Sequence, residues 1–144
     1  MYIGVPLFES WGIDEDHHIT LTFNGHGESK LDYLNATVAL AESCRWWYAN
    51  GNRRIYGTFG PSEAFDGNCW HSKVTSPNME RFREKLVQEL DREGVYHSED
   101  YDFKPHVTLN YGREPVTNPY EGGALIVDRL AVVSRNFGRT EVRV

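Results

Sequence analysis

Cysteine is scarce in this chain: Cys44 and Cys69 are the only two among 144 residues, and they form no C-x-x-C pair. That argues against a disulfide framework and against the common thiolate metal sites. No long apolar run occurs, so no membrane-spanning helix and no membrane partner are expected. Met1-Tyr2-Ile3-Gly4 carries no basic segment, and Pro6, Glu9 and Asp14 interrupt any apolar one. A secretory signal is therefore not expected, and the expected compartment is the cytoplasm. Basic charge is also short, with 15 Lys and Arg against 21 Asp and Glu, a net −6. Such a balance disfavours a long nucleic-acid duplex, whose many phosphates need a basic face. A single phosphate is a different matter, because a few local donors can hold it. What remains is ordinary globular composition, 40% hydrophobic and 25% charged, enough for one domain over residues 1–144.

Within that composition one phrase occurs twice, 88 positions apart. The first copy is His18-Ile19-Thr20-Leu21-Thr22-Phe23-Asn24-Gly25, and the second is His106-Val107-Thr108-Leu109-Asn110-Tyr111-Gly112. In an extended chain, alternate side chains share a face. His18, Thr20 and Thr22 then lie on one side, with Ile19, Leu21 and Phe23 on the other. His106, Thr108 and Asn110 divide from Val107, Leu109 and Tyr111 in the same way. Each copy is half apolar and half chemically armed.

The surrounding elements alternate between strand and helix. Residues 1–7 read as a strand ending near Pro6, 11–17 as a polar loop and 18–24 as the first His strand. Ser29 opens a helix with Asp32 as capping-box acid, Leu31, Leu34, Val38 and Ala41 as its apolar stripe and Gly51 as its end. Residues 53–59 and 67–75 read as strands joined by a turn that begins near Gly60-Pro61 and extends as far as Gly67. Ser76-Pro77 starts a second helix with Met79, Phe82, Leu86 and Leu90 on its buried side. Glu84, Lys85, Glu89 and Arg92 occupy the opposite face, and Gly94 closes it. After a polar loop from Tyr96 to Asp102 comes the second His strand, 105–111, and then a Pro- and Gly-rich loop to Gly123. Strands at 124–133 and 137–144, around a turn at Ser134-Arg135-Asn136, end the chain. The expected class is α+β, built as two duplicated halves with a groove between them.

A pair of H-x-T-hydrophobic motifs about half a domain apart resembles the 2H phosphoesterases. Lys104-Pro105-His106-Val107-Thr108-Leu109 is similar to that family's second motif, and Val127-Asp128-Arg129-Leu130-Ala131-Val132-Val133-Ser134 to its late strand ending in serine. The resemblance covers nearly the whole chain. It implies two antiparallel sheets flanking a central groove. It also implies activity on 2′,3′-cyclic phosphates, 2′-5′ linkages or cyclic nucleotide signals, and it makes a viral enzyme that destroys host alarm nucleotides a candidate role. RNA-end processing, a 2′-5′ RNA-ligase-like activity or a non-catalytic nucleotide-binding module are the alternatives.

The chemistry follows from the residues as well. In-line displacement at phosphorus needs a base for the attacking hydroxyl and an acid for the leaving oxygen. Histidine, with an ordinary pKa near 6.5, serves as either. His18 and His106 are the expected pair, with Thr20 and Thr108 donating hydroxyl hydrogen bonds to the non-bridging oxygens. A lone histidine on a strand is more often structural, and the repetition is what shifts the balance. His17, His26 and His97 take the structural reading, and His71 is left open between a groove-edge and a structural role. No metal site and no cofactor are expected. The expected partner is a nucleotide or short oligonucleotide. Thr22 and Asn110 extend the active face by alternation, whereas Phe23 and Tyr111 are assigned to the core. Trp70 and Trp11 are candidates for stacking on a base, and Lys104 for positive potential near a phosphate. Trp46 and Trp47 are read as structural.

Overall fold

The computed structural model describes residues 1–7, 17–65, 69–99, 102–110, 112 and 116–144. Its elements are β1 (Tyr2–Pro6), β2 (His18–Phe23), α1 (Lys30–Ala49), β3 (Ile55–Phe65), β4 (Cys69–Thr75), α2 (Pro77–Arg92), β5 (His106–Asn110), β6 (Ala124–Val127), β7 (Arg129–Ser134) and β8 (Gly138–Arg143). The class is α+β, as expected, and every strand pair is antiparallel. The strands join in the order β6-β3-β4-β5-β2-β1-β7-β8. The two four-stranded groups are thus continuous rather than separate sheets, linked at the centre by the pair Ile19↔Val107. Because β2 and β5 are the central strands, both H-x-T motifs sit at the seam.

The lobes are not the two halves of the sequence. One lobe is the unbroken stretch β3 to β6 and carries α2 against β3; the other combines β1 and β2 with β7 and β8, and carries α1. The expected strand 124–133 is correspondingly two strands. β6 pairs with β3 at one edge of the order, β7 pairs with β1 and β8 near the other edge, and Asp128 alone connects them. Both segments are apolar and β-branched, so periodicity carries no sign of the break.

Local chemistry explains the helices. Ser29 and Asp32 form the reciprocal capping box, with Asp32 N–H donating to Ser29 Oγ (3.1 Å) and Ser29 N–H to Asp32 Oδ2 (3.0 Å). At the other end Gly51, at φ 82°, allows the N–H groups of Gly51 and Asn52 to reach the carbonyls of Tyr48 and Trp47. The expected stripe of α1 is corrected: Leu31 is 65% exposed, Leu34 and Val38 are also exposed, and Tyr33, Ala36, Leu40, Cys44 and Trp47 face the core. Apolar residues surround this helix. The buried side is decided by Trp47, which meets Phe82 edge-on at 5.7 Å, and by small alanines that allow close approach.

Helix α2 matches its expected stripe, since Met79, Phe82, Leu86 and Leu90 are all fully buried beneath the Ser76 cap. Glu89 departs from the expected exposed face. It is buried between Lys85 (3.0 Å) and Arg92 (3.6 Å). The expected turn at Gly60-Pro61 is also corrected, because β3 runs straight through it with a register shift between Phe59 and Ser62. A bulge tolerates the missing proline N–H where a regular ladder would not. The helices and their core cover the face carrying Ile19 and Val107, both fully buried. The opposite face holds the motif histidines. No helix among the described residues is long and apolar enough to cross a membrane.

Candidate active site

Antiparallel register around Ile19↔Val107 sets the geometry of the site. Continued one residue each way, it places His18 across from Thr108 and Thr20 across from His106. The two histidines therefore occupy one diagonal of a four-residue patch and the two threonines the other. In a regular ladder, diagonal neighbours are separated by about 7–8 Å, a gap that a phosphate group can enter. All four side chains line one open groove of about 1090 Å³.

Each histidine has its own setting. His106 Nδ1 lies 2.7 Å from the carbonyl oxygen of Lys104. A carbonyl can only accept, so Nδ1 carries a proton and Nε2 is left to exchange one. Burial pushes the His106 pKa below the usual 6.5; the Lys104 carbonyl opposes this, and the nearby His71 and His18 add to it. Phe65 and His71 stack at 3.7 Å, and both meet the His106 ring at steep angles, at 5.0 and 5.1 Å. His18 instead lies flat against Tyr2, with ring centroids 4.2 Å apart and planes 17° apart.

The far wall of the groove is the β7–β8 hairpin. Ser134 Oγ accepts from the backbone N–H groups of Asn136 and Phe137 (3.2 Å each) and donates to the Glu28 carboxylate. That hydroxyl is the first cause holding the Glu28 carboxyl below its usual range. Arg135 and Asn136, at the hairpin tip, line the same groove. Among the described residues no cluster of three or more His, Cys, Asp or Glu side chains is arranged to hold a metal ion.

No protein-family model and no curated protein sequence matches this chain. Solved structures do. The MHV ns2 PDE domain is 18% identical, with a TM-score of 0.60 over 88% of this chain and 95% of that one. E. coli LigT in its apo form is 14% identical, with a TM-score of 0.61 over 99% of this chain and 92% of LigT. TT0787 of Thermus thermophilus is 17% identical, with a TM-score of 0.54 over 99% of this chain and 93% of that one. The fold is that of the 2H phosphoesterases. LigT has also been solved with 3′-AMP, NADP+ and ATP.

On this 2H fold His18, Thr20, His106 and Thr108 come together in the groove, and Asn110 joins them. Thr22 does not. It is buried and donates to Asn24 Oδ1 at 3.1 Å. The cause is a bulge: Ile3 pairs with Thr22 and Gly4 with Thr20, so Leu21 is an extra residue and the alternation inverts beyond it. Phe23, assigned to the core by alternation, is turned into the groove instead.

Trp70 is half-buried on β4 opposite Asn110 and does not line this groove. Lys104 borders a separate cavity of about 520 Å³ beyond His106, and its carbonyl meets the histidine ring. Trp11 and Tyr111 lie outside the described residues. Sequence reasoning missed Tyr2, His17, His26, Glu28, Arg135 and Asn136 as groove-lining residues. From sequence, His17 and His26 read as structural, and Arg135 only as part of a turn. His17 Nδ1 is 2.7 Å from the Tyr120 hydroxyl. None of these carries a motif; the three-dimensional course of β1, of the segments flanking β2 and of the last hairpin brings them in.

Proposed function

We propose that this chain is a metal-independent nucleotide phosphodiesterase. The observation that carries the reading is the diagonal His18–His106 pair on adjacent antiparallel strands, with a threonine hydroxyl beside each histidine at the floor of one groove. His106, neutral near pH 7 because of its burial, takes a proton from the attacking water at Nε2. The water oxygen bonds to phosphorus in line with the leaving ribose oxygen, which takes its proton from His18 as the P–O bond breaks. Thr20 and Thr108 donate to the non-bridging oxygens as charge gathers there. Exchange with solvent returns both rings to their starting states. Substrates of this chemistry are 2′,3′-cyclic phosphates, 2′-5′-linked oligonucleotides and cyclic oligonucleotides. The nucleotide complexes of LigT support a nucleotide in the groove.

The test is a panel of those substrates with chromatographic identification of products, run with and without excess EDTA. Turnover is expected to survive the chelator. His18→Ala and His106→Ala are each expected to remove nearly all of it, and the double variant to be scarcely worse than either single one, as for groups that act as a unit. Near wild-type turnover by either single variant refutes the two-histidine mechanism. Loss of activity in EDTA, restored by a divalent metal, replaces it with a metal-assisted one.

A further inference from the structure

We propose that Arg83, on α2 and outside the groove, is a positioning residue that fixes the two motif strands relative to one another. This rests on the two-histidine reading above and adds the part that keeps the pair in line. In-line transfer needs His18 and His106 on opposite sides of one phosphorus. A displacement of about 1 Å can cost on the order of 100-fold in rate. Yet the strands that carry the two rings are thinly joined. Among the described residues β2 and β5 share the single register pair Ile19↔Val107, and every other pair of neighbouring strands shares three or more.

Arg83 supplies a second junction from the helix side of the sheet. Its Nε–H donates to the Leu21 carbonyl at 2.8 Å. Leu21 follows Thr20 directly and, as the extra residue of the bulge, pairs with no residue on β1 or β5. A bulge disrupts the ladder at such a residue, and its backbone groups look elsewhere for partners. The same guanidinium lies over the Phe103 ring, 4.8 Å from its centroid. Phe103 precedes Lys104, whose carbonyl holds His106 Nδ1. One rigid planar group thus engages the residue after one motif threonine and the approach to the other motif histidine.

The junction also crosses between the lobes, since α2 and β5 belong to one and β2 to the other. Other contacts join the lobes, such as Trp47 with Phe82, and the Ser98 N–H with the Phe23 carbonyl at 2.8 Å. Arg83 differs in meeting both motif segments at once. As a mere filler it would be a costly one. Burial pushes its pKa below the ordinary arginine value, and among the described residues no carboxylate is paired with it. Methionine would occupy similar volume with no charge to desolvate. Lysine could not offer an edge to a carbonyl and a flat face to a ring together.

The experiment measures kcat and KM separately on a nucleoside 2′,3′-cyclic phosphate, under conditions where urea unfolding shows each variant folded. Arg83→Met keeps the volume and removes the donor and the plane. It is expected to lower kcat on the order of 10- to 100-fold and to leave KM within about twofold of wild type. Combining it with Phe103→Leu is expected to slow turnover no further, because two halves of one tie are not additive. Millimolar guanidinium is expected to raise kcat of Arg83→Ala several-fold and to leave wild type and Arg83→Met unchanged, since methionine fills the slot. Wild-type kcat in folded Arg83→Met overturns the proposal and leaves Arg83 a packing role. A loss carried entirely by KM, additive effects of the two substitutions, or an Arg83→Ala variant deaf to guanidinium overturns it as well.

Amide hydrogen exchange decides the matter independently of turnover. In Arg83→Met the amides of residues 18–21 and 106–108 are expected to exchange about 10-fold faster than in wild type, with those of β7 and β8 unchanged. That result beside a wild type that cleaves no nucleotide removes the phosphodiesterase reading and leaves the tie standing. Unchanged exchange in both motif strands removes the tie, whatever the activity.

Discussion

His18 and His106 carry the same ring, but their surroundings differ, and the proposed reaction gives each a different half of the proton transfer. His106 is held by a backbone carbonyl and flanked by Phe65 and His71, so part of its ring is screened from water and its charged form is disfavoured. Its folded pKa is below 6.5, so acidification drives a proton onto a group that the fold prefers neutral. The stability it contributes is complete above about pH 6.5 and is lost as pH falls through the folded value. The ascending, acidic limb of kcat/KM against pH is accordingly expected below about 6.5, the value at which an unperturbed histidine base would put it. His106→Gln should lose less stability than wild type on acidification, measured by urea unfolding at stepped pH. A limb at or above that value would contradict the burial argument. At this scale the H-x-T residues were legible because they are named by type and spacing. Phe23 and Thr22 were not, because a single extra residue, Leu21, exchanges their faces without altering the local pattern.

Strand β1 is the element on which the site's geometry depends. It lies between β2 and β7, and a Cβ on Gly4 would stand 2.3 Å from the Ile19 carbonyl oxygen. That oxygen belongs to the backbone between the motif's histidine and threonine, and it has no flexible side chain to give way. Gly4→Ala is expected to destabilise the protein by about 3 kcal/mol, at the upper end for overpacking, and to impair the site with it. Urea midpoints of the variant and wild type check this, and equal midpoints would show that the close approach is not a constraint. Helix boundaries and the α2 stripe were legible, since Ser29, Asp32, Ser76 and Pro77 act through local hydrogen bonds and fixed φ. The buried side of α1 was not, because its Leu and Val residues compete with Tyr33 and Trp47, and tertiary contact with Phe82 decides between them. The division at Asp128 was invisible for a related reason: both flanking segments are suitable for any strand of the sheet.

For the molecule as a whole, net charge and groove shape point to small ligands. A chain of net −6 gains little from releasing counterions of a long polyanion. A long RNA duplex is therefore expected not to inhibit turnover of a mononucleotide ester at near-physiological salt, and KM for that ester should vary only shallowly with salt. Steady-state rates across a salt series, with and without duplex, measure both. Strong inhibition by duplex that disappears with added salt would reveal a basic path that the composition argues against. The pseudo-symmetric order of strands was half legible: the repeated motif announced a duplication, but sequence order could not tell that one lobe interrupts the other.

That interruption has a consequence in time rather than in space. The middle lobe, β3 to β6 with α2, is a single uninterrupted stretch and is complete once residue 127 has been made. The outer lobe begins with the first strand and ends with the last, so β1 gains its second neighbour only when β7 follows. A growing chain halted after Asp128 would already hold His18, Thr20, His106 and Thr108, with no β7 to brace β1 and no Arg135 hairpin to wall the groove. Contacts so distant in sequence close slowly. The candidate centre, composed early, is framed last.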